Sequence, residues 1–159
     1  MPSFQLTSHL RAPAERVWAH ATSMAGVNHE LAPLLRMTHP AHLTSLEGHD
    51  APLGKPLFRS VILLFGVLPI DFDDVTFESL EPGRRFVERS RTLSQHVWRH
   101  ERTVEPEEGG CRVTDRVTFE PKIVLAAGAL TILLRMVFAN RHIRLVKMFG
   151  GWAEDIQRG

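Results

Sequence analysis

Hydrophobic and polar residues alternate with a period of two along most of this chain and with a helical period at its two ends. Residues 3 to 11 place Phe4, Leu6, Ser8 and Leu10 on one face and read as a first strand. Pro13 then opens a helix to about residue 21, since proline tolerates the first helical turn and Ala14, Val17, Trp18 and Ala21 form an apolar stripe. A second short helix, about 25 to 32, stops before Pro33. From residue 36 the pattern is strand after strand: about 36 to 46, 55 to 65, 69 to 80, 84 to 92, 96 to 105 and 111 to 120. Gly48 to Pro56, Gly66 to Pro69, Pro82-Gly83 and Gly109-Gly110 punctuate them. Such short links predict a meandering antiparallel sheet. Helical periodicity returns in Leu130, Leu134, Val137, Phe138, Leu145, Met148 and Phe149, with Gly150-Gly151 as the stop. There is no internal repeat, low-complexity tract or linker, so residues 1–159 are expected to form one domain.

The hairpin over residues 96 to 120 is the most specific part of this pattern. Closing its turn through Glu107, Glu108, Gly109 and Gly110 sets Trp98 opposite Phe119, His100 opposite Val117, Arg102 opposite Asp115 and Val104 opposite Val113. A two-residue and a four-residue loop both give this register. The other face carries Arg99, Glu101 and Thr103 against Thr118, Arg116 and Thr114, which suits solvent. The apolar face therefore holds His100, Arg102 and Asp115, which a plain core would exclude because an unpaired buried charge costs several kcal/mol. A lined cavity would use them.

Composition narrows the classes. The 159 residues suffice to bury a substantial core, and a net charge of +1 offers no reason to expect a polyanion partner. Nucleic-acid binding is not expected. The single cysteine, Cys111, excludes an intramolecular disulfide or a thiolate metal cluster. The opening MPSFQLTSHLRAP lacks a basic region followed by an apolar one, so no secretory signal is expected. The apolar run 123 to 138 is interrupted by Arg135 and is shorter than the roughly 20 residues that span a bilayer. A cytoplasmic location is the resulting expectation.

Four segments together resemble a known family. They are the opening APAERVWAHAT, the strand PGRRFVERS, the hairpin VWRHERTVEPEEGGCRVTDRVTF and the helix segment FANRHIRLVKMFG. The hairpin is similar to a W-x-H-x-x-x-F/V strand followed by G-G-x-x-x-x-D. In this order they resemble the START-like, SRPBCC superfamily, which also includes the birch pollen allergen and polyketide cyclases. The resemblance implies an α+β helix-grip fold: a curved antiparallel sheet of about seven strands around a long C-terminal helix, with two short helices after the first strand. It also implies a cavity between sheet and helix that binds a small hydrophobic molecule.

Each candidate residue has two readings. Arg102 with Asp115 is either a structural salt bridge at the narrow end of the cavity or a polar anchor for a ligand carboxylate, carbonyl or hydroxyl. His100 either serves a ligand or is satisfied by a core carbonyl. His142 lies on the apolar side of the last helix, four residues after Phe138 and three before Leu145, and is expected to face the pocket. Arg141 lies on a flank, reaching solvent or an acid such as Glu88. Glu88, which shares a face with Phe86 and Ser90, leans inward. The apolar walls are expected from Trp98, Val104, Val113, Val117, Phe119, Phe138 and Leu145. His39-x-x-His42 and His96-x-x-x-His100 fall on expected strands, where side chains three apart face opposite ways and side chains four apart are about 13 Å distant, so no metal is expected.

No nucleophile elbow, phosphate loop or dinucleotide fingerprint occurs, and no cofactor is expected. The apolar segment Leu63 to Ile70 is unusual for a turn. With the run 123 to 134 it forms either a greasy mouth, compatible with a passing membrane contact, or a self-packed patch. Two functional readings follow. One is a binding module for a lipid-like, isoprenoid or polycyclic molecule. The other is a polyketide cyclase or dehydratase-like enzyme using His100, Arg102 and His142 for acid–base work. The sequence does not name the ligand or the oligomeric state.

Overall fold

The 96–120 hairpin folds in the expected register, with Trp98 opposite Phe119, His100 opposite Val117, Arg102 opposite Asp115 and Val104 opposite Val113. Its loop is the two-residue version: Glu107 pairs with Gly110, and Gly109 supplies the positive φ (80°) that closes it. In the computed structural model, which describes residues 1–48 and 53–154, this hairpin is β6 (Gln95–Glu107) and β7 (Gly110–Pro121). The preceding elements are β1 (Ser3–Leu10), α1 (Ala14–Ala21), α2 (Met24–Leu31), β2 (Leu35–Met37), β3 (Pro56–Leu64), β4 (Leu68–Glu81) and β5 (Arg85–Thr92). A 3-10 turn at Val124–Ala126, α3 (Ala127–Phe149) and β8 (Gly151–Ala153) follow.

The strands form one antiparallel sheet in the order β2-β3-β4-β5-β6-β7-β1-β8. The inward face is set by the period of two: Phe4, Leu6 and Leu10 on β1, Phe86 on β5, Val104 on β6, and Val113, Val117 and Phe119 on β7 are all buried. The C-terminal half of α3 lies against this face, with Val137, Phe138, Arg141, His142 and Leu145 buried. The fold is thus α+β, a sheet gripping one long helix.

Side chains fasten the helices to one another and to the sheet edge. The last carbonyls of α2 have no partner within their own helix. Asn140 donates to the carbonyls of Glu30 and Ala32, both at 3.0 Å, and Arg144 Nε donates to that of His29. Asn28 exchanges two hydrogen bonds with the Met37 backbone, which pins β2 beside α2.

The sequence pattern misjudged four details. The strand expected over 36 to 46 is only Leu35–Met37. Pro40 has no N–H to give a ladder, and the chain leaves the sheet there to bury Leu43. His39 and His42 therefore sit in a loop, not on a strand. Part of the expected Gly48–Pro56 link, residues 49–52, lies outside the described residues. The helix begins at residue 127, and Met148, expected on its apolar side, is half exposed. The apolar stretch also exceeds its expected length: Val124–Phe149 would be long and apolar enough to cross a membrane by length and composition. Half of it is instead the gripped core helix.

The eighth strand, β8, follows from two glycines after α3. Gly150 and Gly151 have φ of 75° and 114°, which turns the chain back along β1. A Cβ on Gly151 would lie 1.8 Å from the His9 carbonyl oxygen, so only glycine allows this approach. Gly151→Ala should cost at least about 1–3 kcal/mol from backbone strain, measured by urea denaturation. A loss below about 0.5 kcal/mol would mean that β8 does not sit against β1 as described.

Candidate functional site

Under the middle of the sheet lies a cluster of ionisable groups shut off from water. Asp115, on β7, is 0% exposed and accepts hydrogen bonds from four side-chain nitrogens. Arg102 holds it in a fork, Nε at 2.7 Å and Nη2 at 2.6 Å. His100 Nε2 lies at 2.8 Å and His142 Nε2 at 2.9 Å. The remaining Arg102 nitrogen, Nη1, reaches Glu30 of α2 at 2.8 Å, and Arg141 of α3 donates to the same Glu30 at 3.3 Å. Two guanidiniums thus face two carboxylates, and the cluster is close to neutral as a whole.

Burial by itself would raise both carboxyls. It is outweighed at Asp115 by the charge and hydrogen bonds of Arg102 and the contact with His100, which hold that carboxyl well below its usual range. At Glu30 the charges of Arg102 and Arg141 likewise win over burial and lower it. Arg102 is held above its ordinary value because Asp115 and Glu30 outweigh its own desolvation.

An ionised Asp115 only accepts, so His142 Nε2 carries a proton and donates to it, while Nδ1 is hydrogen-bonded to Ser8 Oγ at 2.6 Å. Ser8, His142 and Asp115 form a line of the kind that activates a nucleophile. Ser8 and His142 are fully buried, so this line ties β1 to α3 and β7 inside the core.

In front of the cluster is a cavity of about 270 Å³ between the sheet and the N-terminal half of α3. Its walls are mostly apolar, with Leu31, Met37, Ile62, Trp98, Leu130 and Leu134 among them. Asp73, Glu88, Gln95, His100 and Arg141 supply its polar groups. Glu88, His100 and Arg141 also line a second recess of about 50 Å³ toward Met24 and Phe77. His100 Nδ1 lies 3.7 Å from Glu88 Oε2, so one ring joins the sealed cluster to the cavity. At Glu88 burial acts upward but the contacts with His100 and Asp73 prevail, and its carboxyl is lowered. Asp73 is pushed well above the usual range, first by burial and then by the negative charge of Glu88.

The cavity mouth is apolar. Ile70 and Leu133 line the cavity and are 43% and 46% exposed. Phe65 and Val67 in the β3–β4 turn, Leu68 at the start of β4, and Ile132 and Met136 on α3 extend this exposed surface. Phe65 holds a positive φ of 52°, a backbone state that a bulky side chain seldom adopts.

The structure separates the residues that the sequence grouped together. Trp98, His100 and Phe138 line the cavity. Val104, Val113, Val117, Phe119 and Leu145 pack solidly at the closed end of the grip instead. Arg102, Asp115 and His142 lie behind the cavity wall, and the geometry of the first two is that of the structural salt bridge. Glu88 faces inward. Arg141 reaches Glu30 instead of Glu88 or solvent. Glu30, Asp73 and Gln95 were missed, although Asp73 shares a strand face with Val75 and Phe77, and Glu30 sits between Val27 and Leu31 on a buried helix face.

The model of the family described as a domain of unknown function, DUF8410, matches residues 8–149. The chain belongs to this family. No curated protein sequence matches it. Among solved structures, protein CV1439 from Chromobacterium violaceum superimposes with a TM-score of 0.67 at 16% identity, covering 94% of this chain and 98% of that one. The AHSA1-like protein from Aeromonas hydrophila gives 0.60 at 15% identity, with 92% and 93% covered. DynU16, a protein of the dynemicin biosynthetic locus, gives 0.55 at 13% identity, and 94% of this chain covers 49% of it. At such identities the likeness is one of fold: a curved antiparallel sheet gripping a long C-terminal helix.

Two outcomes follow from the electrostatics. Asp115→Ala leaves Arg102 buried without its fork and should cost about 3–5 kcal/mol in chemical denaturation. A cost within about 1 kcal/mol would mean that the pair is exposed. Asp73 has the opposite sign: its raised pKa stabilises the fold fully only below the unfolded value, about 3.9, and this is lost as pH rises through the folded value. Asp73→Asn should therefore gain stability relative to wild type at pH 8 and lose that advantage near pH 4. An unchanged difference across that window would contradict the assignment.

Proposed function

We propose that this protein binds a small, largely apolar molecule in the cavity between the sheet and α3. The observation carrying this reading is the cavity itself. It is apolar along its walls, polar at a few convergent groups and open at an apolar mouth, the usual composition of a small-molecule site. Its volume of about 270 Å³ falls just below the usual range for such sites, about 300–1,000 Å³, and suits a ligand of one or two rings or a short chain. The likeness to an AHSA1-like protein and to a protein of a biosynthetic locus is compatible with a ligand-binding fold and names no ligand for this chain.

The enzyme alternative, on a polyketide cyclase or dehydratase-like branch, would have to work with His100 and Glu88. All three Arg102 nitrogens are engaged by Asp115 and Glu30 and the side chain is fully buried, so a ligand carbonyl has no access to it. A binding role asks only for the cavity and its mouth. We also propose the exposed turn between β3 and β4 as the entry route, with a transient membrane contact as one way of delivering an apolar ligand.

Native mass spectrometry of the freshly purified protein should show a fraction carrying a small organic mass, lost on washing with organic solvent. Titration with an apolar fluorescent probe should quench Trp98 with saturation. Leu134→Trp, which fills the cavity, should abolish that quenching while the protein stays folded; quenching that survives it would overturn the cavity as the binding site. Leu68→Glu should slow probe uptake without loss of stability, since Leu68 is 56% exposed. Unchanged uptake would remove the turn from the entry route.

A further inference from the structure

Two buried polar atoms in the cavity wall have no hydrogen-bond partner among the described residues: Asp73 Oδ1 and Gln95 Oε1. Their residues are 4% and 6% exposed, so bulk water does not readily satisfy them. Leaving such groups unpaired is unfavourable, because each has lost its hydration and gained nothing in return. They are also neighbours. Asp73 pairs across the sheet with Thr92, and Thr92 Oγ1 accepts the backbone N–H of Gln95.

The hydrogen-bond network fixes which end of the Gln95 amide faces the cavity. Ser94 Oγ gives its proton to Asp71 Oδ2, and Asp71 is otherwise occupied by the N–H groups of Phe72, Leu93 and Ser94. Having donated, Ser94 Oγ can only accept from Gln95, which must therefore present its NH₂, at 3.0 Å. The group left without a partner, on a residue that lines the cavity, is the carbonyl oxygen. This amide orientation follows from the chain of donors and does not depend on telling nitrogen from oxygen.

Acidic groups predominate on this wall: Asp71, Asp73 and Glu88 stand against Arg141, which is bound to Glu30. Glu88 is shared with His100, accepts from Ser90 Oγ at 2.8 Å and is hydrogen-bonded to the Asp73 carboxyl, whose Oδ1 still lacks a partner. The available groups are thus an amide oxygen and a carboxyl beside a second carboxylate, and they call for a donor that carries positive charge.

Resting on the reading of the cavity as a binding site, we propose that its ligand is an apolar amine whose ammonium group is held by Asp73 and Gln95 while its hydrocarbon part lies against Trp98, Leu130 and Leu134. This differs from the acid or carbonyl ligand that Arg102 suggests in the sequence, because Arg102 is sealed away. In the empty cavity Asp73 is disposed to keep its proton, owing to burial and to Glu88. An arriving ammonium supplies the missing countercharge. The Asp73 O–H bond then breaks, its electron pair stays on the carboxylate, and the proton leaves to solvent, so that each bound amine releases up to one proton. Glu88 and Asp71 from the neighbouring positions, His100 from β6 and Arg141 from α3 are the charged or titratable groups facing this event. Asp73, with no polar partner for Oδ1, is the one positioned to lose the proton.

The test uses three probes of one shape: 1-naphthylmethylamine, 1-naphthylmethanol and 1-naphthoic acid, titrated calorimetrically into the full chain at pH 7 in two buffers of different ionisation heat. The amine should bind about 10-fold or more tighter than the alcohol, the worth of a charge-assisted hydrogen bond, and the acid weakest. The amine alone should show buffer-dependent heat, signalling proton release. Asp73→Asn should bring amine and alcohol to within about 3-fold and abolish the buffer dependence. Gln95→Leu, a second variant, should weaken both without changing the proton count. Equal or tighter binding of the acid, or an amine preference that survives Asp73→Asn, would overturn this proposal and leave the cavity reading intact. Binding by none of the three would overturn the cavity reading itself.

Discussion

A carboxylate cut off from water has to be surrounded by donors, and the way Asp115 meets that demand decides how the grip closes. Its donors come from β6 and α3, and they extend to other elements in turn. Arg102 holds Glu30 on α2, Glu30 holds Arg141 on α3, and His142 holds Ser8 on β1. One short helix, the long helix and the centre of the sheet are therefore tied through one set of hydrogen bonds to charged groups. Such a cluster contributes less net stability than its short distances suggest, since each charge has lost its hydration. Its effect is on arrangement. A helix shifted by one turn would leave at least one ionised group unpaired in the interior.

That arrangement also explains why there is a cavity. The cluster fixes the C-terminal half of α3 against the sheet, where Val137, Phe138 and Leu145 complete the core. The N-terminal half leans past the sheet with apolar residues on both sides, and the space beneath it is filled by no side chain. His100 stands at the boundary, with one nitrogen on Asp115 and the other toward Glu88. The closed end of the grip is a packed core with paired charges. The open end is a lined space with unpaired polar atoms.

The hairpin register was legible because a period of two leaves little freedom once a turn is located, and the inward position of Arg102 and Asp115 followed from it. The gripped helix was legible for the same kind of reason. Which inward residues reach a cavity was not legible, since a strand face does not reveal the depth of the helix across it. Val113 and Trp98 share the inward face of the sheet, yet Val113 is wholly buried in the core while Trp98 lines the cavity with Leu134. Long-range partners were likewise hidden. Glu30 and Arg102 are 72 residues apart, and nothing local marks Glu30 except its place in an apolar stripe. The three-residue β8 escaped notice because two glycines read as an end, although their freedom also lets the chain pass close to His9.

Destabilising groups kept at an open site are a recurrent cost of function. Asp73 and Gln95 fit that description, for neither improves the fold as it stands. The measurement that bears most directly on the account is a crystal structure of the protein grown with 1-naphthylmethylamine. It should show the naphthalene ring between Trp98 and Leu134 and the nitrogen within hydrogen-bond reach of Asp73 and Gln95. The fork between Arg102 and Asp115 should be unchanged behind His100. A space closed solidly by Leu130, Leu134 and Phe138, with no room for a ligand, would contradict it.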